Sequence, residues 1–172
     1  MKTKLVLGSA GGQHPDAVTV DIDPTHRPDV VHNLNRVPYP FADNQFTEIV
    51  CHHVVEHLND LAPAMAELHR ICAPTGTIYI EVPHYTSWAA NAPEHKLRFG
   101  YFGFDSHVQG GEAEWSTGPK FRLLSRELTF HRAHRQFLLH KLFNHIPRAY
   151  ERFWAYLFPA EHVKVRLQPI KR

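Results

Sequence analysis

The stretch from Leu5 to Asp23, L-V-L-G-S-A-G-G-Q-H-P-D-A-V-T-V-D-I-D, limits the possible folds more than any other part of the chain. Lys4 to Leu7 holds a short apolar run and Val18 to Ile22 a second one that closes on carboxylates. Both read as buried strands. Between them Gly8, Gly11 and Gly12 supply backbone that turns tightly and approaches a ligand with no Cβ in the way. Gly8 and Asp21 stand thirteen positions apart, with Pro15 in the interval. A dinucleotide fingerprint opens a helix after its glycines and places its acid about 20 residues further on. No full helix fits between Gly12 and Val18, so no helix N-terminus is offered to a pyrophosphate, and no Lys follows the glycines as a phosphate-binding loop requires. What remains is a loop and an acidic strand end suited to the two hydroxyls of a ribose. The ligand this implies is a nucleoside without phosphates.

The pattern continues as strands alternating with a helix. Pro24 and Pro28 force an extended connection to a short strand at Val30-Val31 that ends near Asn33. Phe46 to Cys51 reads as a central strand, so Cys51, His52 and His53 fall at its carboxyl end, where the crevice of an open parallel sheet lies. Asn59 to Cys72 carries a helical stripe of Leu61, Met65, Leu68 and Cys72, with Asn59 or Asp60 as cap and Pro63 tolerated in the first turn. Pro74-Thr75-Gly76 is a turn and Thr77 to Val82 a β-branched strand. This order implies a parallel sheet with right-handed crossovers.

From Leu5 to Pro83 these segments resemble, in order, the class I S-adenosylmethionine-dependent methyltransferases, in particular a small subgroup in which a loop replaces the first helix. L-V-L-G-S-A-G-G stands where that family has its glycine motif, V-D-I-D where it has the ribose-binding acid, and H-N-L where a polar residue meets the adenine. P-Y-P-F-A-D-N-Q-F-T-E-I-V-C-H-H-V-V-E-H-L looks like the fourth-strand segment, and E-L-H-R-I-C-A-P-T-G-T-I-Y-I-E-V-P like the helix, turn and fifth strand. The resemblance implies a Rossmann-like open sheet in three α/β/α layers, mostly parallel with a reversed C-terminal strand. It implies S-adenosylmethionine as cofactor and methyl transfer to an O or N acceptor. The cofactor-binding residues carried over are Gly8, Ser9, Ala10, Gly11, Gly12, Asp21, Ile22, Asn33, Leu34, Cys51 and His52. The sequence departs from the family at Val6, where an acid is common, at Ala10 and Thr75, which replace glycines, and at Asn33 and Thr47, which replace aspartates. Val6, Ala10 and the short first loop support the rival reading, a non-catalytic scaffold that binds a partner through its basic, aromatic C-terminal half.

Methyl transfer from a sulfonium asks a protein mainly to align nucleophile, methyl carbon and sulfur in a dry site. A protonated acceptor also needs a base, and His53 and His84 are the candidates. His52, His53 and His57 raise a metal alternative, but adjacent histidines on a strand point to opposite faces and H-E-x-x-H is lacking, so no metal is expected. Instead Glu56 and His57 are expected to fix the loop by hydrogen bonds.

Residues 84–120 hold Trp88, Phe99, Tyr101, Phe102, Phe104 and Trp115 with five glycines and no sustained period. The segment reads as a loop-rich cap, either over the acceptor, with His84, Tyr85, Glu94 and His95 as polar lining, or as a satellite core. Phe121 to His131 reads as a strand, and Val163 to Ile170 as the last strand, antiparallel to it. Ile146 to Phe158 reads as a helix with Tyr150, Phe153, Trp154 and Leu157 on one face, a core or protein-contact stripe.

Length and charge bound the rest. At 172 residues and 43% hydrophobic the chain supports one core and one domain, residues 1–172. Residues 1–83 carry five Lys and Arg against ten Asp and Glu, and residues 84–172 fourteen against seven. The basic half suits an anionic partner, but its cations are spread singly, which makes nucleic acid a minor candidate and a small molecule or glycan-type acceptor the favoured one. Cys51 and Cys72 form no disulfide framework, and neither a signal peptide nor an 18-residue apolar run is present. A cytoplasmic location without a membrane span is the expectation; oligomeric state is open.

Overall fold

The computed structural model describes residues 2–111, 118–135 and 138–171. Seven strands run β1 Lys4–Leu7, β2 Ala17–Asp21, β3 Val30–Val31, β4 Phe46–His52, β5 Cys72–Pro83, β6 Phe121–Phe130 and β7 Ala160–Pro169. They form one sheet in the order β3-β2-β1-β4-β5-β7-β6. The first five of that order are parallel, and β7 runs antiparallel to both β5 and β6. The mostly parallel Rossmann-like sheet with one reversed C-terminal strand is therefore present. Its register follows burial: Leu5, Ile49, Ile78 and Ile80 are fully enclosed, and a one-residue slip would turn each such set toward the opposite face. Each enclosed aliphatic side chain contributes about 1.5–3 kcal/mol relative to exposure, so the register is strongly specified.

Helix α1 spans Leu61–Ile71. Asp60 caps it by accepting the Ala62 N–H at 3.0 Å, and Ala64, Met65, Leu68 and Ile71 form its buried face. The chain turns extended at Cys72, which joins β5 rather than the helical stripe. Glu67 shares the buried face and is neutralised there: it accepts the Tyr39 N–H at 2.5 Å and two Arg70 guanidinium N–H groups at 2.9 and 2.7 Å. Arg70 in turn donates to the carbonyls of Phe41 and Tyr39 at 2.8 and 3.0 Å, which fastens the loop before β4 onto the helix.

The sequence reading and the structure part in three places. The turn at Pro74-Thr75-Gly76 lies inside β5: Phe46 pairs with Cys72 but Glu48 pairs with Thr77, so the turn bulges out of a strand that continues past it. The expected helix from Ile146 to Phe158 is divided. Helix α2 spans Arg132–Arg135, α3 spans Leu139–His145, α4 spans Pro147–Ala149, and a π-helical turn follows at Tyr150–Trp154. Its stripe does not act as one face, because Tyr150 is fully buried while Phe153, Trp154 and Leu157 are exposed at 65%, 43% and 66%. Tyr150 is drawn inward by packing on Phe130 and Phe143, with its hydroxyl on the Phe158 carbonyl at 2.9 Å. Third, β2 ends one residue earlier than expected, at Asp21.

In residues 84–111 two short 3-10 turns, Trp88–Asn91 and Asp105–His107, interrupt an irregular path. Phe99 and Phe104 stack at 5.0 Å and join the main core, and Arg126 of β6 pairs with Asp105 while its guanidinium lies over the Tyr101 and Phe102 rings. Trp88 is 88% exposed, and Trp115 lies outside the described residues. Among the described residues no helix is long and apolar enough to cross a membrane.

Candidate functional site

A cavity of about 580 Å³ opens at the carboxyl ends of β1, β2 and β4. This is the switch point of the sheet, since β1 is flanked by β2 on one side and β4 on the other. The volume falls in the range of small-molecule sites, about 300–1,000 Å³.

Its floor is the glycine loop. Gly8 leaves β1 with φ +66°, and a Cβ there would lie 1.9 Å from Cγ2 of Val54. The position therefore excludes every side chain on two counts, backbone conformation and space. Ala10 holds φ +46°, a left-handed value at the position where the family pattern has glycine. Asp21 closes β2 and is 8% exposed. Its Oδ2 accepts the Ala10 N–H at 2.8 Å, its Oδ1 accepts the Asp23 N–H at 3.0 Å, and His26 Nδ1 lies 3.3 Å from Oδ2. Burial works against the charged form, but the hydrogen bonds from Asp23, Ala10 and His26 outweigh it and hold the carboxyl below its ordinary range. A carboxylate has roughly four acceptor sites, so capacity remains for a ligand.

Gly8, Ala10, Asp21, Ile22, Asn33 and Leu34 all line the cavity, as does His53. Ser9, Gly11 and Gly12 belong to the same loop but are not in the wall. Cys51 is fully enclosed in the core, and burial pushes its thiol up to about 12. His52 is exposed and faces Glu81 at 3.6 Å. His84 is not part of the cavity. It is fully buried, with Nδ1 2.7 Å from Thr86 Oγ1 and Nε2 3.2 Å from Glu151 Oε1, a place in the packing of the cap rather than at a ligand. Tyr85 and His95 also lie outside the wall, whereas Glu94 belongs to it.

Residues that sequence reasoning missed complete the enclosure: His32 and Asn35 beside Asn33, Val54 and Leu58 after β4, and Lys96 from the cap. Their neighbours in sequence were the signal, since each flanks a position already singled out. His53 ends the alternation of β4 by taking φ +53°. For that reason His52 and His53 are not on opposite faces; their rings meet edge to face at 4.6 Å. His53 Nδ1 lies 3.1 Å from Glu56 Oε1, and this contact raises the imidazole above its ordinary value. The bond assigns Nδ1 as the protonated nitrogen, leaving Nε2 without a partner among the described residues.

Residues 12–80 match the family model described as a methyltransferase domain. Solved structures with the same fold include an S-adenosylmethionine-dependent methyltransferase from Archaeoglobus fulgidus, 15% identical, with a TM-score of 0.66 over 96% of this chain and 85% of the other. A second is a chain from the "Complex between the Haloferax volcanii Trm112 methyltransferase activator and the putative methyltransferase", 13% identical, TM-score 0.62, covering 99% and 84%. A third is the [4+2]-cyclase SpnF, 11% identical, TM-score 0.59, covering 96% and 73%. No curated relative matches the chain in sequence. The fold is the one these S-adenosylmethionine-dependent methyltransferases have, and within it residues 12–80 match the methyltransferase-domain model. S-adenosylmethionine is accordingly the expected cofactor, and the cavity wall offers an acidic strand end, small residues, and apolar Ile22 and Leu34 beside a polar Asn33.

Proposed function

We propose that the protein transfers a methyl group from S-adenosylmethionine to an oxygen or nitrogen of a small-molecule or glycan-type acceptor. The observation that carries this reading is the joint placement of Gly8 and Asp21 on one open cavity at the switch point of the sheet. In that reading Asp21 accepts the ribose hydroxyls, the loop from Gly8 to Gly12 lies under the cofactor, and Asn33 and Leu34 meet the adenine. A cavity left open, rather than filled by the protein's own side chains, supports cofactor binding over a scaffold role.

In the reaction an acceptor lone pair attacks the methyl carbon, the carbon–sulfur bond breaks toward sulfur, and the acceptor's proton leaves. His53 is the base for that proton, because it lines the cavity and Glu56 engages its Nδ1, which leaves Nε2 for the acceptor. His84, enclosed in the cap, has no such access. The described part of the cap, residues 84–111 and 118–120, covers the acceptor side in a single domain, a reading supported by Glu94 and Lys96 in the wall. The fold by itself does not choose the reaction, as the cyclase with the same fold illustrates.

Calorimetric titration with S-adenosylmethionine and S-adenosylhomocysteine tests the proposal. Saturable binding that is lost in Asp21→Ala supports it. Failure of both ligands to bind or to raise the melting temperature overturns it.

A further inference from the structure

A second set of polar side chains meets the cavity at His57, and of its members only Glu56, through Oε1 alone, enters the reading above. Glu56, His57 and His95 each present one donor atom, a carboxylate oxygen or a ring nitrogen, and the three lie within 4.8 Å of one another. Glu56 is 1% exposed, and its Oε2 is buried with no hydrogen-bond partner, although Oε1 is engaged by His53. A buried carboxylate oxygen without a partner is unfavourable unless something positive meets it. His95 likewise keeps a buried Nδ1 with no partner. The His57 and His95 rings meet edge to face at 4.6 Å.

We infer that Glu56, His57 and His95 bind a divalent transition-metal cation of the zinc type at the edge of the cofactor cavity. The donor set suits that choice, because two imidazoles and one carboxylate bind zinc while leaving a fourth position open. The outer contacts suit it too. His57 Nδ1 donates to the Glu94 carbonyl at 3.2 Å, and a backbone carbonyl on one ring nitrogen fixes the tautomer so that Nε2 offers its lone pair to a metal. Zinc bonds of about 2.0–2.2 Å place tetrahedral donors about 3.4 Å apart, so closing the site needs only small rotations of partly exposed rings.

The neighbouring cluster of His52, His53 and Glu81 shows what a poor metal site looks like. There Glu81 already accepts the Tyr79 hydroxyl and has Lys164 Nζ at 3.5 Å and His162 at 3.9 Å. Its negative charge is neutralised, and the ammonium repels a cation. Around Glu56 the nearest lysine in sequence, Lys96, is turned to Asn59 Oδ1 at 2.7 Å.

His57, Glu94 and Lys96 also line the cofactor cavity, so a cation held here reaches its edge. With one position open it would polarise an oxygen acceptor and ease its deprotonation. That role rests on the methyltransferase reading, whereas the cation site does not.

The test is calorimetric titration of zinc chloride into the whole chain after chelator treatment, without S-adenosylmethionine. The expected result is one strong site whose affinity falls at least tenfold in His95→Ala and in Glu56→Gln and is unchanged in His52→Ala. Asp21→Ala, which probes the cofactor reading, keeps the zinc site. Cobalt(II) added to the native protein is expected to give a visible absorption band that His95→Ala removes. Should Glu56→Gln fail to fold, His95→Ala, at a partly exposed position, decides alone. Absence of strong zinc uptake, or equal uptake by native protein and His95→Ala, overturns the site.

Discussion

The carboxylate of Asp21 accepts the backbone N–H of Ala10 at 2.8 Å, so the acid at the end of β2 and the loop after β1 are one unit. The same oxygen pair that is proposed to hold a ribose already sets the height of the loop beneath it. Asp21→Asn keeps the shape but removes the charge and turns one acceptor into a donor facing the N–H of Ala10 or of Asp23. Cofactor affinity is expected to drop at least tenfold, in keeping with about 1.5–3 kcal/mol for a hydrogen bond to a charged group. Calorimetry measures it, and an unchanged affinity would remove the ribose assignment.

Gly8 and Val54 define a second unit, in which backbone conformation and packing demand the same residue. Gly8→Ala places a methyl 1.9 Å from Val54 Cγ2 at φ +66°. The left-handed backbone alone costs about 1–2 kcal/mol, and the overlap adds about 1–3 kcal/mol of strain. Urea denaturation is expected to show a loss of at least 2 kcal/mol. The double variant Gly8→Ala with Val54→Ala recovers the steric part and not the backbone part, so the two substitutions couple. Simple additivity of the single variants would contradict the contact.

Ala10 reverses that logic. Its φ of +46° is unfavourable for any residue with a Cβ, and the hydrogen bond to Asp21 holds it there. Ala10→Gly removes about 1–2 kcal/mol of left-handed strain and adds about 0.5–1 kcal/mol of unfolded-state entropy. A net stabilisation of up to about 1.5 kcal/mol is expected, read as a higher denaturant midpoint with unchanged slope.

Much of this was legible in the residues. Val6, Val20, Ile49 and Ile78 sit in apolar or β-branched runs whose period fixes strands before any contact is known. The spacing from Gly8 to Asp21 left no room for a helix, and none is present. What stayed hidden depended on long-range packing. The burial of Tyr150 against Phe130 and Phe143 splits a segment that reads as one helix. His84 looked available at a strand end but is enclosed by Glu151, 67 residues away. His95 meets Glu56 and His57 only because the cap folds back, and no local spacing encodes that meeting. The positive φ of His53, which brings it beside His52, contradicts the alternation from which their separation was argued.

The pairing of Glu67 with Arg70 makes a prediction about acid stability. Hydrogen bonds from Arg70 and from the Tyr39 N–H outweigh burial and lower the Glu67 pKa below its ordinary 4.5. A carboxyl whose pKa is lower folded than unfolded binds more protons when unfolded, so its stabilisation is complete above the unfolded value. That stabilisation is lost as pH falls through 4.5 toward the lowered folded value. Glu67→Gln removes the charge that Arg70 and the loop at Tyr39 share and is expected to cost about 1–3 kcal/mol at neutral pH. The same variant makes the acid limb of the stability curve shallower, because one of the carboxyls with a lowered folded pKa is gone while others, Asp21 and Glu81 among them, remain. Thermal melts between pH 3 and pH 7, compared for native protein and Glu67→Gln, are expected to converge at the acid end, a range taken as roughly that of carboxyl titration. A constant gap between the two curves across that range would show that the cost is one of packing and that the ionic pairing adds nothing.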